Sequence, residues 1–381
     1  MPTNWETADI LKSPMEICWQ FDYEISREKL KNLYSKSKRL QWDAEKDLDW
    51  SIEIDPSRPI VSEARNGIDQ IPLFQRLSDS QRETFTAHST AHQLSQFLHG
   101  EQGALMTAAA LTHAVPDYEG KLYAATQTMD EARHVEAYDT YIRKLAVSYP
   151  IAPWLKSVID DTLQADHWTK IAIGMNMVVE GLALGAFHNM RRTTNCALLR
   201  QLTELVLRDE SRHVAFGNLY VKEALEEMHI DEREDIAQFS FEVIQSIANA
   251  IGGVDGTGPR QPDPGFLGVL DQVGIDHQDF IRAIVEAGAA GMAAEVPAGQ
   301  VHSFKDLMMP ALVRVGAVTE RTRGLFAEAG IPVWDDLRVI ESMEDASSGD
   351  LFSDPSGDPI DNPIDNPLDN PLDDSDPALA N

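Results

Sequence analysis

Six residues of this chain have the types and the spacing needed to hold two metal ions. Asp130-Glu131-Ala132-Arg133-His134 and Asp209-Glu210-Ser211-Arg212-His213 both read D-E-x-R-H, and a lone glutamate stands 30 residues before the glutamate of each motif: Glu101 before Glu131, and Glu180 before Glu210. The triplets Glu101/Glu131/His134 and Glu180/Glu210/His213 therefore repeat at an offset of 79. On an α-helix, residues three apart lie about 60° round the axis and about 4.5 Å along it, so each Glu-x-x-His pair can grip one ion. Glu101 and Glu180 would complete the two shells, and shared carboxylates can bridge ions roughly 3.5 to 4 Å apart. Hard oxygen donors with one imidazole per ion suit iron or manganese better than zinc or copper. A single E-x-x-H on a helix means little; two copies in one context, each with its upstream glutamate, are specific.

The electrostatics lead to the same chemistry. Four carboxylates on inward helix faces repel and raise one another's pKa, and each costs several kcal/mol if buried unpaired. Two divalent cations neutralise them. Asp130 and Asp209, beside the ligating glutamates, are placed to accept the free N–H of a ligand histidine from either half, with Arg133 and Arg212 pairing with those aspartates.

Positioning such a set requires long helices, and from about residue 78 apolar residues recur at three and four. The expected core helices run from about Asp79 to Val115, Gly120 to Ser148, Asp160 to Met190 and Asn195 to Met228, with the six ligands on their apolar faces. Joined by short connections, these make an antiparallel four-helix bundle. An earlier helix is expected around Arg27 to Trp42. Later ones are expected at Asp231 to Ile251, Phe266 to Val296 and Phe304 to Gly330. The domain reading is thus an N-terminal wrap over 1–77, a metal-binding helical core over 78–251, a helical extension over 252–342 and a tail over 343–381. In that tail [Ile/Leu]-Asp-Asn-Pro repeats every four residues, which forbids helix and ladder and predicts disorder.

Composition narrows the classes. The 381 residues carry 62 acids against 32 Lys and Arg, a formal charge of −30, and this argues against nucleic acid as a partner. One local exception, Arg27 to Arg39, holds six basic residues and one acid; it is either a solvated helix face or a docking patch for an acidic electron donor such as a ferredoxin or a reductase. Cys18 and Cys196, far apart, form neither a disulfide framework nor a thiolate site. The N-terminus shows no basic region followed by an apolar run, so a cytoplasmic protein is expected. Ile171 to Met190 carries no Lys or Arg, but Asn176, Glu180 and His188 interrupt it, which predicts a core helix and no membrane span.

Over about residues 80–230 the chain resembles the ferritin-like diiron-carboxylate superfamily, which includes ribonucleotide reductase small subunits, multicomponent monooxygenase hydroxylases, acyl-carrier-protein desaturases and N-oxygenases. The twin D-E-x-R-H looks most like the hydroxylases and desaturases. The resemblance implies an all-α, ferritin-like four-helix bundle with additional N- and C-terminal helices. It also implies a pair of iron ions, or manganese with iron, bound by Glu101, Glu131, His134, Glu180, Glu210 and His213, with O2 as co-substrate and a small organic molecule as substrate. Hydroxylation or related oxygenation is the leading expectation; desaturation, N-oxidation and a radical-generating or metal-holding subunit are the alternatives. Arylamine N-oxygenases add a third histidine one turn before the last glutamate, and the occupant here, Val206, sets the chain apart from them. Tyr138, four residues after His134, sits where reductase small subunits hold a radical tyrosine; it is either a radical or relay residue or a core tyrosine. A homodimer is also in keeping with such relatives. The small residues Gly181 to Ala186 either leave room for dioxygen and an apolar substrate or let helices pack closely.

Overall fold

The computed structural model describes residues 9–55, 71–254, 263–289 and 301–338, and among these every regular element is a helix. In chain order they are α1 (Glu28–Arg39), α2 (Pro72–Gln75), α3 (Asp79–Ala114), α4 (Tyr118–Leu145), α5 (Pro153–Leu163), α6 (Trp168–Thr193), α7 (Ala197–Glu227), α8 (Ile230–Ile251), α9 (Pro264–Val273), α10 (His277–Ala289), a π-helical turn (Ser303–Met308) that runs into α11 (Met309–Val315), and α12 (Glu320–Glu328). The tail expected beyond 343 lies outside the described residues, as does much of the proline-bearing stretch before α2.

Each core helix starts and stops for a chemical reason. The Ser78 hydroxyl accepts from Gln81 N and the Gln81 side chain accepts from Ser78 N, a reciprocal cap that sets the first turn of α3. Its 36 residues end at Val115, forced into an extended conformation by Pro116. Three residues separate α3 from α4 and three separate α6 from α7, so each pair packs along its length as an antiparallel hairpin. Leu94, Ala104, Ala108 and Leu111 of α3 and Tyr123, Ala137, Tyr138 and Tyr141 of α4 are all buried.

Several boundaries differ from the expected ones. Asp160 does not begin the third core helix: it belongs to α5, and the chain breaks at Gln164 before His167 caps the start of α6. Helix α6 is long and apolar enough to cross a membrane, yet 78% of its most apolar window is buried inside the protein, as a core helix requires. Within it, Ile173–Val179 adopts the wider π-helical turn and Glu180 follows immediately. The long helices expected after Phe266 and Phe304 are each broken by a glycine in the left-handed region, Gly274 (φ 70°) and Gly316 (φ 85°), which end α9 and α11.

The N-terminal wrap lies over the core. Helix α1 buries Leu30, Leu33 and Ser37 against α4 and α7 and leaves Lys29, Lys38 and Arg39 in solvent. Its N-terminus is anchored by the buried Glu119 carboxylate, which accepts from Ser26 N and Arg27 N. Arg27 itself is bound by Asp117 and Glu223, so the basic stretch is part anchor and part exposed face.

Candidate metal centre

Four core helices bring the six repeated residues to one buried point. Helix α3 contributes Glu101, α4 Glu131 and His134, α6 Glu180, and α7 Glu210 and His213, and none of the six is more than 5% exposed. They form two overlapping groups: Glu101, Glu131, His134 and Glu210 in one, Glu131, Glu180 and His213 in the other, each with its oxygen and nitrogen atoms within 4.8 Å of one another. Glu131 belongs to both, and Glu210 Oε1 lies 3.3 Å from His134 Nδ1 and 3.5 Å from His213 Nδ1. Glu131 and Glu210 thus lie between the halves, with Glu101 and Glu180 at the outer ends.

The imidazole orientations show what this cluster can bind. His134 Nδ1 stands 3.1 Å from Glu101, 3.2 Å from Glu131 and 3.3 Å from Glu210, while its Nε2 meets Asp209 at 3.1 Å. His213 repeats the pattern: Nδ1 lies 3.0 Å from Glu131 and Nε2 3.3 Å from Asp130. One nitrogen cannot donate a single hydrogen to three carboxylates. With Nε2–H committed to an aspartate, Nδ1 faces only carboxylate oxygens: it carries a second proton while no metal is bound, and a cation at the common point would take that proton's place on the Nδ1 lone pair. Among the described residues, buried His213 Nδ1 and Glu210 Oε1 meet groups of this cluster without a well-aligned hydrogen bond, which is the state expected of atoms shaped for a metal.

The protonation pattern of the metal-free cluster has the same origin. Burial and the neighbouring Glu210 push Glu101 and Glu180 well above the usual carboxylate range. Glu131 is held low against its burial by His213 and His134. Both histidines are pushed well up, because the surrounding carboxylates outweigh the desolvation that would lower them. In formal charge, four carboxylates and two neutral imidazoles match two divalent ions.

Around this lies a second buried layer that is neutral in itself. Arg133 Nη2 bonds Asp130 (2.6 Å) and Asp209 (2.8 Å), and Arg212 Nη2 bonds Asp209 (2.5 Å) and Asp130 (3.3 Å), so two arginines and two aspartates close a square. The aspartates serve the histidines crosswise, Asp209 to His134 and Asp130 to His213, each tying one half-repeat to the other. These charge-assisted bonds keep Asp209 and Asp130 ionised despite burial.

Sequence reasoning did not find several residues that complete the site. Gln41 donates to Asp130 at 2.7 Å and accepts from Arg133 at 2.7 Å, and Trp42 Nε1 donates to Asp209 at 2.7 Å. The Trp42 indole also stacks near His134 and carries the Arg133 guanidinium over its face. Their position after α1 gave no periodic signal. Gln127 and Asn176 bond Glu180, and each stands four residues before a ligand, a helical spacing that pointed to them. Tyr138 is fully buried against Phe97 and Phe187, near Glu101, and its hydroxyl has no hydrogen-bond partner among the described residues. His188 lies outside both groups of metal-capable atoms. A Cβ on Gly185 would stand 3.1 Å from Ser303 Cβ, so close packing accounts for that glycine, whereas a Cβ on Gly181 would meet Met308 at an ordinary 3.7 Å.

Comparison with known proteins places this geometry. The family described as p-aminobenzoate N-oxygenase AurF matches residues 24–255, more than half of the chain and all six ligand candidates. No curated protein matches. Among solved structures, an R2-like ligand-binding oxidase with an aerobically reconstituted metal cofactor after photoconversion is similar at 16% identity, covering 78% of this chain and 95% of that one with a TM-score of 0.45. A second, with an aerobically reconstituted Mn/Fe cofactor, is similar at 17% identity over 78% and 94%, with a TM-score of 0.44. The family match corrects the expectation drawn from Val206: that buried valine removes one candidate ligand without removing the chain from the N-oxygenases. The chain belongs to the AurF family of p-aminobenzoate N-oxygenases, an oxidoreductase family of the ferritin-like diiron-carboxylate superfamily.

Proposed function

We propose that this protein is an O2-dependent oxygenase that uses a pair of iron ions, or manganese with iron, to oxidise a small organic substrate at nitrogen or carbon. The observation that carries this reading is the convergence of two Glu/Glu/His sets on one dry point, each histidine turned inward by an aspartate of the other half. Glu101, Glu131 and His134 would hold one ion and Glu180, Glu210 and His213 the other, Glu131 and Glu210 lying between them. When bound, the ions supply redox chemistry toward dioxygen that side chains lack. The chain's own residues contribute ligand orientation through Asp130 and Asp209, charge balance through Arg133 and Arg212, and exclusion of water by burying all six candidate ligands. Family membership favours an amine nitrogen over an unactivated carbon as the oxidised atom.

Electrons for such a reaction come from a donor. Lys29, Lys38 and Arg39 are exposed basic residues of α1 on a chain of charge −30, suited to meet an acidic ferredoxin or reductase. Trp42, three residues beyond Arg39, reaches Asp209 and His134. A radical role for Tyr138 is the second reading, favoured by its burial beside Glu101 and its unpartnered hydroxyl. We also place the protein in the cytoplasm, with its two free cysteines reduced.

The test is anaerobic iron loading of the full chain followed by 18O2 exposure with an arylamine or an apolar hydrocarbon, and mass analysis of products. Incorporation of 18O at nitrogen supports the N-oxygenase form and incorporation at carbon the hydroxylase form. No incorporation into either by an iron-loaded protein removes the oxygenase reading.

A further inference from the structure

The two half-sites share their ligand types but differ in what holds the outer carboxylate. Both oxygens of Glu180 are capped by neutral amides: Gln127 Nε2 donates to Oε1 at 2.8 Å and Asn176 Nδ2 to Oε2 at 3.0 Å. Asn176 also donates to Gln127 Oε1 at 3.1 Å, and Gln127 to Glu131 Oε1 at 3.1 Å, so two amides and two carboxylates form one buried network. Glu101, the equivalent residue of the other half, has among the described residues only the His134 contact at 3.1 Å. The offset of 79 explains the difference, because Gln127 corresponds to Val206 and Asn176 to Phe97, neither of which can donate. Phe97 packs on Tyr138 and Phe187 instead.

We propose that Gln127 and Asn176 are a positioning pair that makes the two metal positions inequivalent: they fix Glu180 as the immobile ligand of the tighter position and leave Glu101 free to move when an external ligand binds. This rests on the two-metal reading above. For Glu180 to swing away it must abandon two amide donors that are fully buried and have no water to turn to, whereas Glu101 gives up no such bond. The local backbone is built around the pair. Asn176 sits in the π-helical turn Ile173–Val179, and a Cβ on Gly217 of α7 would stand 2.8 Å from Asn176 Cβ, so glycine is what admits the asparagine. Asn176 Oδ1 is buried without a hydrogen-bond partner among the described residues, which means that the amide is oriented for its donors at the expense of its acceptor.

The experiment titrates the metal-stripped full chain with Co(II) anaerobically, following heat and visible absorption, for wild type, Gln127→Met and Asn176→Asp. Wild type is expected to bind in two resolved steps, and either variant to weaken the tighter step about 10- to 100-fold while leaving the other unchanged, the usual effect of removing an outer partner of a ligand. Asn176→Asp preserves shape, so it carries the test if Gln127→Met does not fold. In the iron-loaded protein only one of two Mössbauer doublets should shift. Equal weakening of both steps, or of neither, in a wild type that binds two ions overturns the proposal alone. A wild type that takes up no cobalt overturns the two-metal reading and this proposal with it.

Discussion

His134 Nε2 lies 3.1 Å from Asp209, a residue of the opposite D-E-x-R-H motif, and with the matching contact of His213 to Asp130 it ties the two halves of the centre together. Asp209 also receives Trp42, Arg133 and Arg212, so four donors from α4, α7 and the segment after α1 converge on one buried carboxylate.

Replacing Asp209 with Asn retains the shape and removes the charge. The imidazole loses the acceptor that fixes its tautomer, and metal affinity is expected to fall about 10- to 100-fold, as for other outer partners of histidine ligands. Calorimetric titration with Mn(II) checks it; unchanged affinity would show that His134 is oriented by its packing alone.

Glu131 and Glu210 lie between both positions while Glu101 lies at one end. Glu131→Ala is expected to reduce bound metal by more than Glu101→Ala does, read as ions per chain by elemental analysis. Equal losses would place Glu131 outside the shared position.

Trp42→Phe keeps an aromatic ring beside His134 but removes the N–H donated to Asp209. Loss of a hydrogen bond to a buried charge costs about 1.5 to 3 kcal/mol, which denaturant unfolding measures. If Trp42 also lies on the electron route, reduction of the iron-loaded protein by an acidic donor slows while its metal content stays at the wild-type value.

Metal uptake should release protons. His134 and His213 have raised pKa values in the metal-free cluster, so at neutral pH they hold protons that a metal must displace. The sign follows: affinity falls as pH is lowered and rises as it is raised. Titration in buffers of different ionisation heat gives the proton count, and a count of zero contradicts the assignment.

The convergence of the six candidate ligands was legible because they obey two helical rules at once, a three-residue Glu–His spacing and a repeat at constant offset. The aspartates and arginines were legible because they sit inside the repeated motif. Gln41 and Trp42 were not, since they reach the site from an irregular segment whose path depends on α1 docking through Leu30 and Leu33. The breaks at Gly274 and Gly316 were written in the sequence as glycines, but a glycine commits a helix to stop only when its neighbours let it turn left-handed. The π-helical turn before Glu180 had no periodic signature, and with it went the role of Gly217, whereas Asn176 was visible as a polar residue four before Glu180 on an apolar helix.

The most direct test of the central claim is the metal content of the full chain after anaerobic loading with Fe(II) and removal of excess. The two-centre account predicts about two ions per chain, with loss of at least one in Glu131→Ala and in His213→Ala. A wild-type chain that retains no iron or manganese, or variants that retain as much as wild type, would contradict it.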